Sequence, residues 1–477
     1  MHTRCAIRDT ECQLMALANS RAKRYSFWSI CPNGLDMLLT QLDMRFALDM
    51  LLRSVLFAHR GSPPLTNTIL CAKMKIMLSQ GGVRMYSSAD AKCFLSLVRC
   101  ALRDEEPSEI PSDVNLTSVF SLAKMHNLCE LISYSLPKAK PTPAPELLEA
   151  LRKIKHAGIA QQIHQDVELA TIKAGFEENG IDFVLLKGGV IKDLYPSPDM
   201  RSMCDLDILI RPDKMAMAKE IMLTQLGYKA ENIVEGEHDL GFGKPPFINI
   251  ELHHAITDRL GNREAYEYYK DAWELAIPKS EGAHEHFFSK EDFYIHHIEH
   301  LAKHYRYGGC GVRPFCDIYV FLRAHGDTIK WDYIYEILKR IKLFDFEAHI
   351  RALALKWLDN GEGDEVSDAI EEYVLHGGSF GLAEDKQLTT VARLHTKNGK
   401  IKRFGYFFKK IFLPYRPMTV GYPVLKKAPI LLPFCWIHRI FNRLLFKRDR
   451  VKAQLEITAD DSKVLTLVKH LNSIGLE

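Results

Sequence analysis

The chain has 477 residues, enough for about three domains of ordinary size. With 47% hydrophobic and 26% charged residues it reads as globular, and collagen-like, disordered and coiled-coil readings fail on composition. The net charge of +3 is unevenly spread: residues 397–450 hold 14 Lys and Arg against one acid, Asp449, a net +13 that leaves −10 elsewhere.

The longest uninterrupted apolar run, 428–437, is ten residues broken by two prolines, too short to span a membrane. No cationic segment followed by an apolar one opens the chain, so no signal peptide is expected. Eleven cysteines occur without a CxxC pair, which excludes a zinc ribbon and a thioredoxin-type motif. Reduced, mostly buried thiols in a cytoplasmic protein are the expectation.

In chain order, residues 1–84 form an irregular leader with four cysteines and no sustained period. Gly81-Gly82 ahead of Met85 is what a GG-rich ribosome-binding site reads as when translated. Translation from Met85 is therefore expected, the alternative being a genuine helical extension. Ser87-Ser88 then opens a helix, and 85–155 is read as a helical region containing two helices before a Pro-rich linker at 137–145. A long helix over 146–179 ends at Gly180. Strands follow at 181–186, 203–210 and 247–253, with a helix at 213–226 between the last two, giving a core over 156–282. Residues 283–395 read as a helical domain and 396–477 as a basic, aromatic C-terminal region. The expected class is α+β, a small mixed sheet flanked by helical regions.

Chemistry concentrates in the strands. On a strand, Asp205 and Asp207 project to one face and Leu206, Ile208 and Ile210 to the other. Two carboxylates so placed repel unless a cation separates them, and hard oxygen ligands suit Mg²⁺ or Mn²⁺. The third strand repeats the pattern, with Asn249, Glu251 and His253 opposite Ile248, Ile250 and Leu252. If the two strands pair, Glu251 completes a three-carboxylate site able to support phosphoryl or nucleotidyl transfer.

A Gly-Gly after a strand, Asp-x-Asp on the next and a single acid on a third resemble the polymerase-β-type nucleotidyltransferase superfamily. More narrowly, "LLKGG…LYPSPDMRSMCDLDILIRP…LGY…IELHH" resembles a bacterial group of uncharacterised nucleotidyltransferase family proteins, over about residues 85–445. The resemblance implies Asp205, Asp207 and Glu251 as catalytic metal ligands for Mg²⁺ or Mn²⁺, with Glu251 helping to activate the attacking hydroxyl. It implies that Gly188 and Gly189 approach the phosphates of an NTP through their backbone. It also marks Lys187 and Arg201 as binding residues for phosphate or substrate. Two departures stand out: fifteen residues separate Gly189 from Asp205, and the second small residue is Gly rather than Ser.

Farther on, His296, His300 and His304 stack at i, i+4, i+8 if 294–304 is helical. HExxH and a partnered cysteine pair are both absent, which argues against zinc. The resemblance instead makes this helix a wall of the nucleotide or acceptor pocket, with Lys303 on the nucleotide side and His253, Arg313 and Asp317 toward the acceptor. Gly377-Gly378-Ser379-Phe380-Gly381 matches GxSxG in letters, but a polar helix precedes it, so a glycine turn is expected. No GxxxxGK[ST] occurs.

The stretch 397–450 adds eleven aromatics to its charge. It fits RNA binding, an anionic membrane surface or plain packing on the core, with the last two preferred. Its prolines suggest an extended wrap between two helices. The sequence thus points to a cytoplasmic, metal-dependent nucleotidyltransferase that moves an NMP from NTP to an acceptor and releases pyrophosphate. The acceptor class expected is a small molecule, peptide or glycan rather than nucleic acid, with peripheral contact at the inner membrane face through 397–450. The alternatives are an inactive binding module on the same fold and a toxin-like enzyme acting on RNA or protein.

Overall fold

The computed structural model describes residues 86–231, 239–245, 248–257, 262–363, 365–379, 386, 388–389, 411–446 and 461–476. The leader 1–84 and the proposed start at Met85 lie outside the described residues, as do 397–410 and 447–460 of the basic region.

Helix α1 (Ser88–Arg103) starts where Ser87 forms a capping box: its hydroxyl accepts from the Asp90 amide while its own amide donates to the Asp90 carboxylate. Asp90 also accepts from the Asn115 amide at 2.7 Å, tying α1 to the N-cap of α2 (Leu116–Met125). A short turn at Cys129–Ile132 follows; of the expected linker, Pro137 lies in a 3-10 turn and Pro145 opens α3 (Pro145–Glu178), while 139–144 have no regular structure. Gly180, at φ +64°, reverses the chain after α3 into β1 (Phe183–Leu185).

A single turn, α4 (Gly188–Ile191), leads through 3-10 turns to β2 (Leu206–Ile210), then α5 (Met215–Thr224), β3 (Lys229–Glu231), β4 (Asp239–Lys244) and β5 (Ile248–His253). After α6 (Arg263–Tyr269) come β6 (Ala276–Pro278) and β7 (Glu285–Phe288). The seven strands form one mixed sheet in the order β3-β4-β5-β2-β1-β7-β6. β2 runs antiparallel to β1 and parallel to β5, while β5 runs antiparallel to β4.

One face of this sheet is a packed core. Leu206, Ile208, Ile210, Ile248, Ile250 and Leu252 meet Leu169, Ile172 and Phe176 of α3 and Ala218, Ile221 and Met222 of α5. Period-2 alternation in β2 and β5 thus buries the alternate residues that the sequence assigns to packing and frees the others for chemistry.

The remainder is helical: α7 (Lys290–Arg306), α8 (Arg313–His325), α9 (Trp331–Arg340), α10 (Phe344–Leu358) and α11 (Glu365–Gly377). Their core includes Phe315, Ile318, Leu338, Phe346, Ile350 and Leu353, all fully buried. After α12 (Tyr415–Gly421) and α13 (Leu432–Phe446), the last helix, α14 (Asp461–Ser473), returns to this bundle, where His470 Nε2 lies 2.8 Å from the Tyr305 hydroxyl. The overall class is α+β, as expected. The prolines of 411–446 correct the expectation of an extended wrap: Pro423 and Pro429 each sit at the start of a 3-10 turn, where a missing N–H costs nothing. Among the described residues the cysteines are free thiols.

Candidate active site

The site is built at the junction of β2 and β5. Their parallel register places Asp207 directly opposite Glu251, on the face turned away from the hydrophobic core. His253 follows Glu251 by two residues and so shares its face. Its Nε2 lies 2.8 Å from Asp207 Oδ1 and 3.6 Å from Glu251 Oε2. One ligand atom from each of Asp207, Glu251 and His253 fits within a mutual distance of 4.8 Å, the one such group of three among the described residues.

Asp205 differs from the expectation in position. The strand begins at Leu206 rather than Met203, so Asp205 stands just before it and is exposed at the mouth, while Asp207 is buried. The carboxylates still interact. Although Asp205 reaches solvent, the protein crowded around its carboxyl raises its pKa and the charge of Asp207 raises it further, against the pull of Lys187, Arg313 and Arg201. Glu251 is pushed up to about 7, by burial first and then by Asp205 and Asp207. Asp207 goes the other way: Lys187 and His253 outweigh its burial and hold it well below the usual carboxylate range.

Lys187 is the fixed counter-charge. Its ammonium lies 2.8 Å from Asp207 Oδ1, the same oxygen that meets His253. Burial alone would lower its pKa, but Asp207, with Asp205 and Glu251, raises it. Lys187 caps α4 with φ +47° and ψ −121°, a conformation that a side chain disfavours and that surrounding contacts must hold. The next residue is glycine for a local reason: a Cβ on Gly188 would lie 2.6 Å from Met203 Sδ. Gly189 has room for one, its nearest neighbours being 3.9 Å away, and its amide donates to the Leu186 carbonyl within the turn.

Arg201 and Asp317, named from the sequence for different pockets, are paired with each other. Arg201 donates from Nε and Nη2 to the two Asp317 oxygens at 2.7 and 2.9 Å, and the Tyr195 hydroxyl donates to Oδ1 at 2.6 Å. All three are buried. This bidentate pair clamps the loop ahead of β2 onto α8. Arg313, at the start of α8, donates to the Ser202 carbonyl at 3.2 Å and acts electrostatically on Asp205. Tyr195 was not singled out by sequence; its place in "LYPSPDMR" was the only signal.

On helix α7, His296, His300 and His304 lie close enough to the site to feel the charge of Lys187, and His296 and His304 that of Asp207. His300 Nε2 and His304 Nε2 are 3.0 Å apart. Burial and then the charge of Lys187 lower His296 to about 3 and lower His300 too, and the protein around the more exposed His304, with Lys187, lowers it to about 4, so the column is neutral at pH 7. Lys303 lies on the same helix and is half-buried. At the other motif the structure shows a turn. α11 ends at Gly377, Gly378 has φ +63°, and the Ser379 amide donates to the Met125 carbonyl at 2.9 Å. No strand leads into it, as a nucleophile elbow requires, while Phe380 and Gly381 lie outside the described residues.

No curated protein and no solved structure matches the chain. A family described as "Uncharacterised nucleotidyltransferase" matches residues 112–359, just over half of the chain, including every acid, Lys187, the paired Arg201 and Asp317, and the histidine helix. By that match the chain belongs to the family of uncharacterised nucleotidyltransferases.

Proposed function

We propose that this protein transfers a nucleoside monophosphate from an NTP to an acceptor hydroxyl or phosphate, on a polymerase-β-type core. The observation that carries the reading is the Asp207–Glu251 register pair with His253 folded over it, facing away from the core. The donor set fits a divalent cation: two carboxylates and an imidazole within reach of one point, with Asp205 adding negative charge at the mouth. A hard ion suits the carboxylates, and the imidazole favours Mn²⁺ over Mg²⁺. Bound there, such an ion would neutralise charge developing on the transferred phosphoryl group.

The chain's own groups have distinct tasks. Lys187 occupies Oδ1 of Asp207, which leaves Oδ2 for a ligand. Glu251, as the carboxylate, accepts the proton of an acceptor hydroxyl as that hydroxyl's oxygen bonds to the α-phosphorus. The bond from that phosphorus to the bridging oxygen breaks, and pyrophosphate leaves with the electron pair. Lys187, in contact with Asp207, and the adjoining Gly188–Gly189 turn meet the phosphates. Lys303, Arg313 and the neutral histidine column supply a wall for nucleotide and acceptor. Arg201 and Asp317 act by holding the loop that carries Asp205.

The test is Mn²⁺- and Mg²⁺-dependent pyrophosphate release or self-labelling with each of the four NTPs, comparing the protein with Asp207→Asn. Release lost in a folded variant supports transfer. Neither binding nor turnover in the folded, metal-loaded parent would leave the fold as a binding module.

A further inference from the structure

Residues 411–446 form a small body with its own core and one uncovered face. Met418, Leu425 and Cys435 are buried together, with Leu413, Tyr422, Leu431 and Trp436 packed around them. The Trp436 indole donates to the Leu413 carbonyl at 2.8 Å, which fixes the rotation of α13, and the Tyr415 hydroxyl donates to the Leu425 carbonyl at 2.9 Å, which ties α12 to the turn that follows it. That rotation turns a second apolar stripe outward: Ile430, Phe434, Ile437 and Phe441 are 83%, 68%, 52% and 61% exposed. The last three recur at i, i+3 and i+7 on α13, so they share one side of the helix. Seven of the sixteen large hydrophobic side chains exposed among the described residues fall in this 36-residue stretch.

Charge selects what covers the stripe. Residues 411–446 contain five Lys and Arg and no Asp or Glu, and Lys426 and Lys427 are exposed just ahead of Ile430. A second copy of this face would bring like charges together with no acid to answer them. Nucleic acid would answer the charge and find rings in Phe434 and Phe441, but it would leave Ile430, the most exposed of the four, and Ile437 without an apolar partner. Anionic lipid answers both features at once, with headgroups for the cations and acyl chains for the phenylalanines and isoleucines. No helix among the described residues is long and apolar enough to cross a membrane, so the contact is superficial.

We infer that α13 and the turn before it dock this protein on an anionic lipid surface, with Ile430, Phe434, Ile437 and Phe441 inserted at the headgroup boundary. This inference is independent of nucleotidyl transfer, and its test reads no turnover. The full chain is sedimented with vesicles of phosphatidylglycerol mixed with phosphatidylcholine, and with phosphatidylcholine alone. Pelleting is expected with the anionic vesicles only, weakening as salt is raised. Phe434→Ser/Phe441→Ser, both exposed and outside the small core, is expected to weaken partition about tenfold with an unchanged circular dichroism spectrum. Failure of the unaltered chain to pellet with anionic vesicles overturns the inference. So does pelleting that the double substitution leaves unchanged, which would reduce the contact to charge alone. A concentration-dependent dimer dispersed by that substitution, without vesicle binding, would assign the face to a second copy instead.

Discussion

The Lys187 ammonium meets Asp207 Oδ1 at 2.8 Å from a backbone held at φ +47°, so the chain places a cation of its own beside the most deeply buried acid of the site. A carboxylate there without a counter-charge would carry the full cost of burial. Lys187→Met is expected to destabilise the metal-free protein by about 2 kcal/mol. Mn²⁺ should then raise the melting temperature of the variant more than that of the parent. Equal melting temperatures for the two metal-free proteins would remove Lys187 from this role.

Asp207 and Asp205 are expected to differ. Asp207 faces Glu251 in register and contacts His253, whereas Asp205 stands outside the strand. Asp207→Asn should abolish saturable Mn²⁺ binding and lower turnover about a thousandfold or more. Asp205→Asn should weaken binding about tenfold. Isothermal titration of both variants decides it, and equal losses would restore the symmetric carboxylate pair read from the sequence.

Glu251 sets a pH dependence. Its folded pKa is raised to about 7, above the ordinary value of 4.5, by burial and by Asp205 and Asp207. A raised carboxylate pKa gives stability that is fully present below about 4.5 and lost as pH rises through about 7. Asp207 has the opposite sign: its depressed pKa contributes stability above its ordinary 3.8 that is lost as pH falls further. Because the ligand must be deprotonated, Mn²⁺ affinity should rise between pH 6 and 8 and release a proton, and Glu251→Gln should flatten that rise. A flat profile in the parent would contradict the raised pKa.

The Arg201–Asp317 pair is expected to behave as a clamp. Asp317→Asn leaves a buried guanidinium short of its charge partner and should cost about 3 kcal/mol in urea unfolding, with the Michaelis constant for NTP little changed at low temperature. A rise in that constant at unchanged stability would return the pair to substrate binding.

The two glycines should separate. Gly188→Ala forces its Cβ against Met203 and is expected to cost about 1–3 kcal/mol, measured by thermal unfolding, whereas Gly189→Ala should be neutral to slightly stabilising. Equal costs would show that both positions serve a need other than packing.

Local pattern was enough for β1, β2, β5 and most helices, but not for the short strands β3, β4, β6 and β7, the last of which joins the sheet from within 283–395, a stretch that reads as helical. Alternation in "DLDILI" and "INIELH" marked β2 and β5 and told their packing face from their chemical face, and Ser87 and Gly180 marked helix ends, because strand faces and caps depend on neighbours a few residues away. The strand pairing on which the sequence reading made Glu251's place depend is present, and its register sets Glu251 opposite Asp207. Partners distant in the chain were not legible. That Arg201 is bound to Asp317, that Lys187 is spent on Asp207, and that His253 rather than Asp205 completes the compact trio follow from how β2, β5 and α8 pack. So does the outward turn of Phe434 and Phe441. A helix carrying apolar residues around most of its circumference does not declare which side faces the core; the partners contributed by Leu413, Met418 and Leu425 decide that, and only the folded chain brings them together.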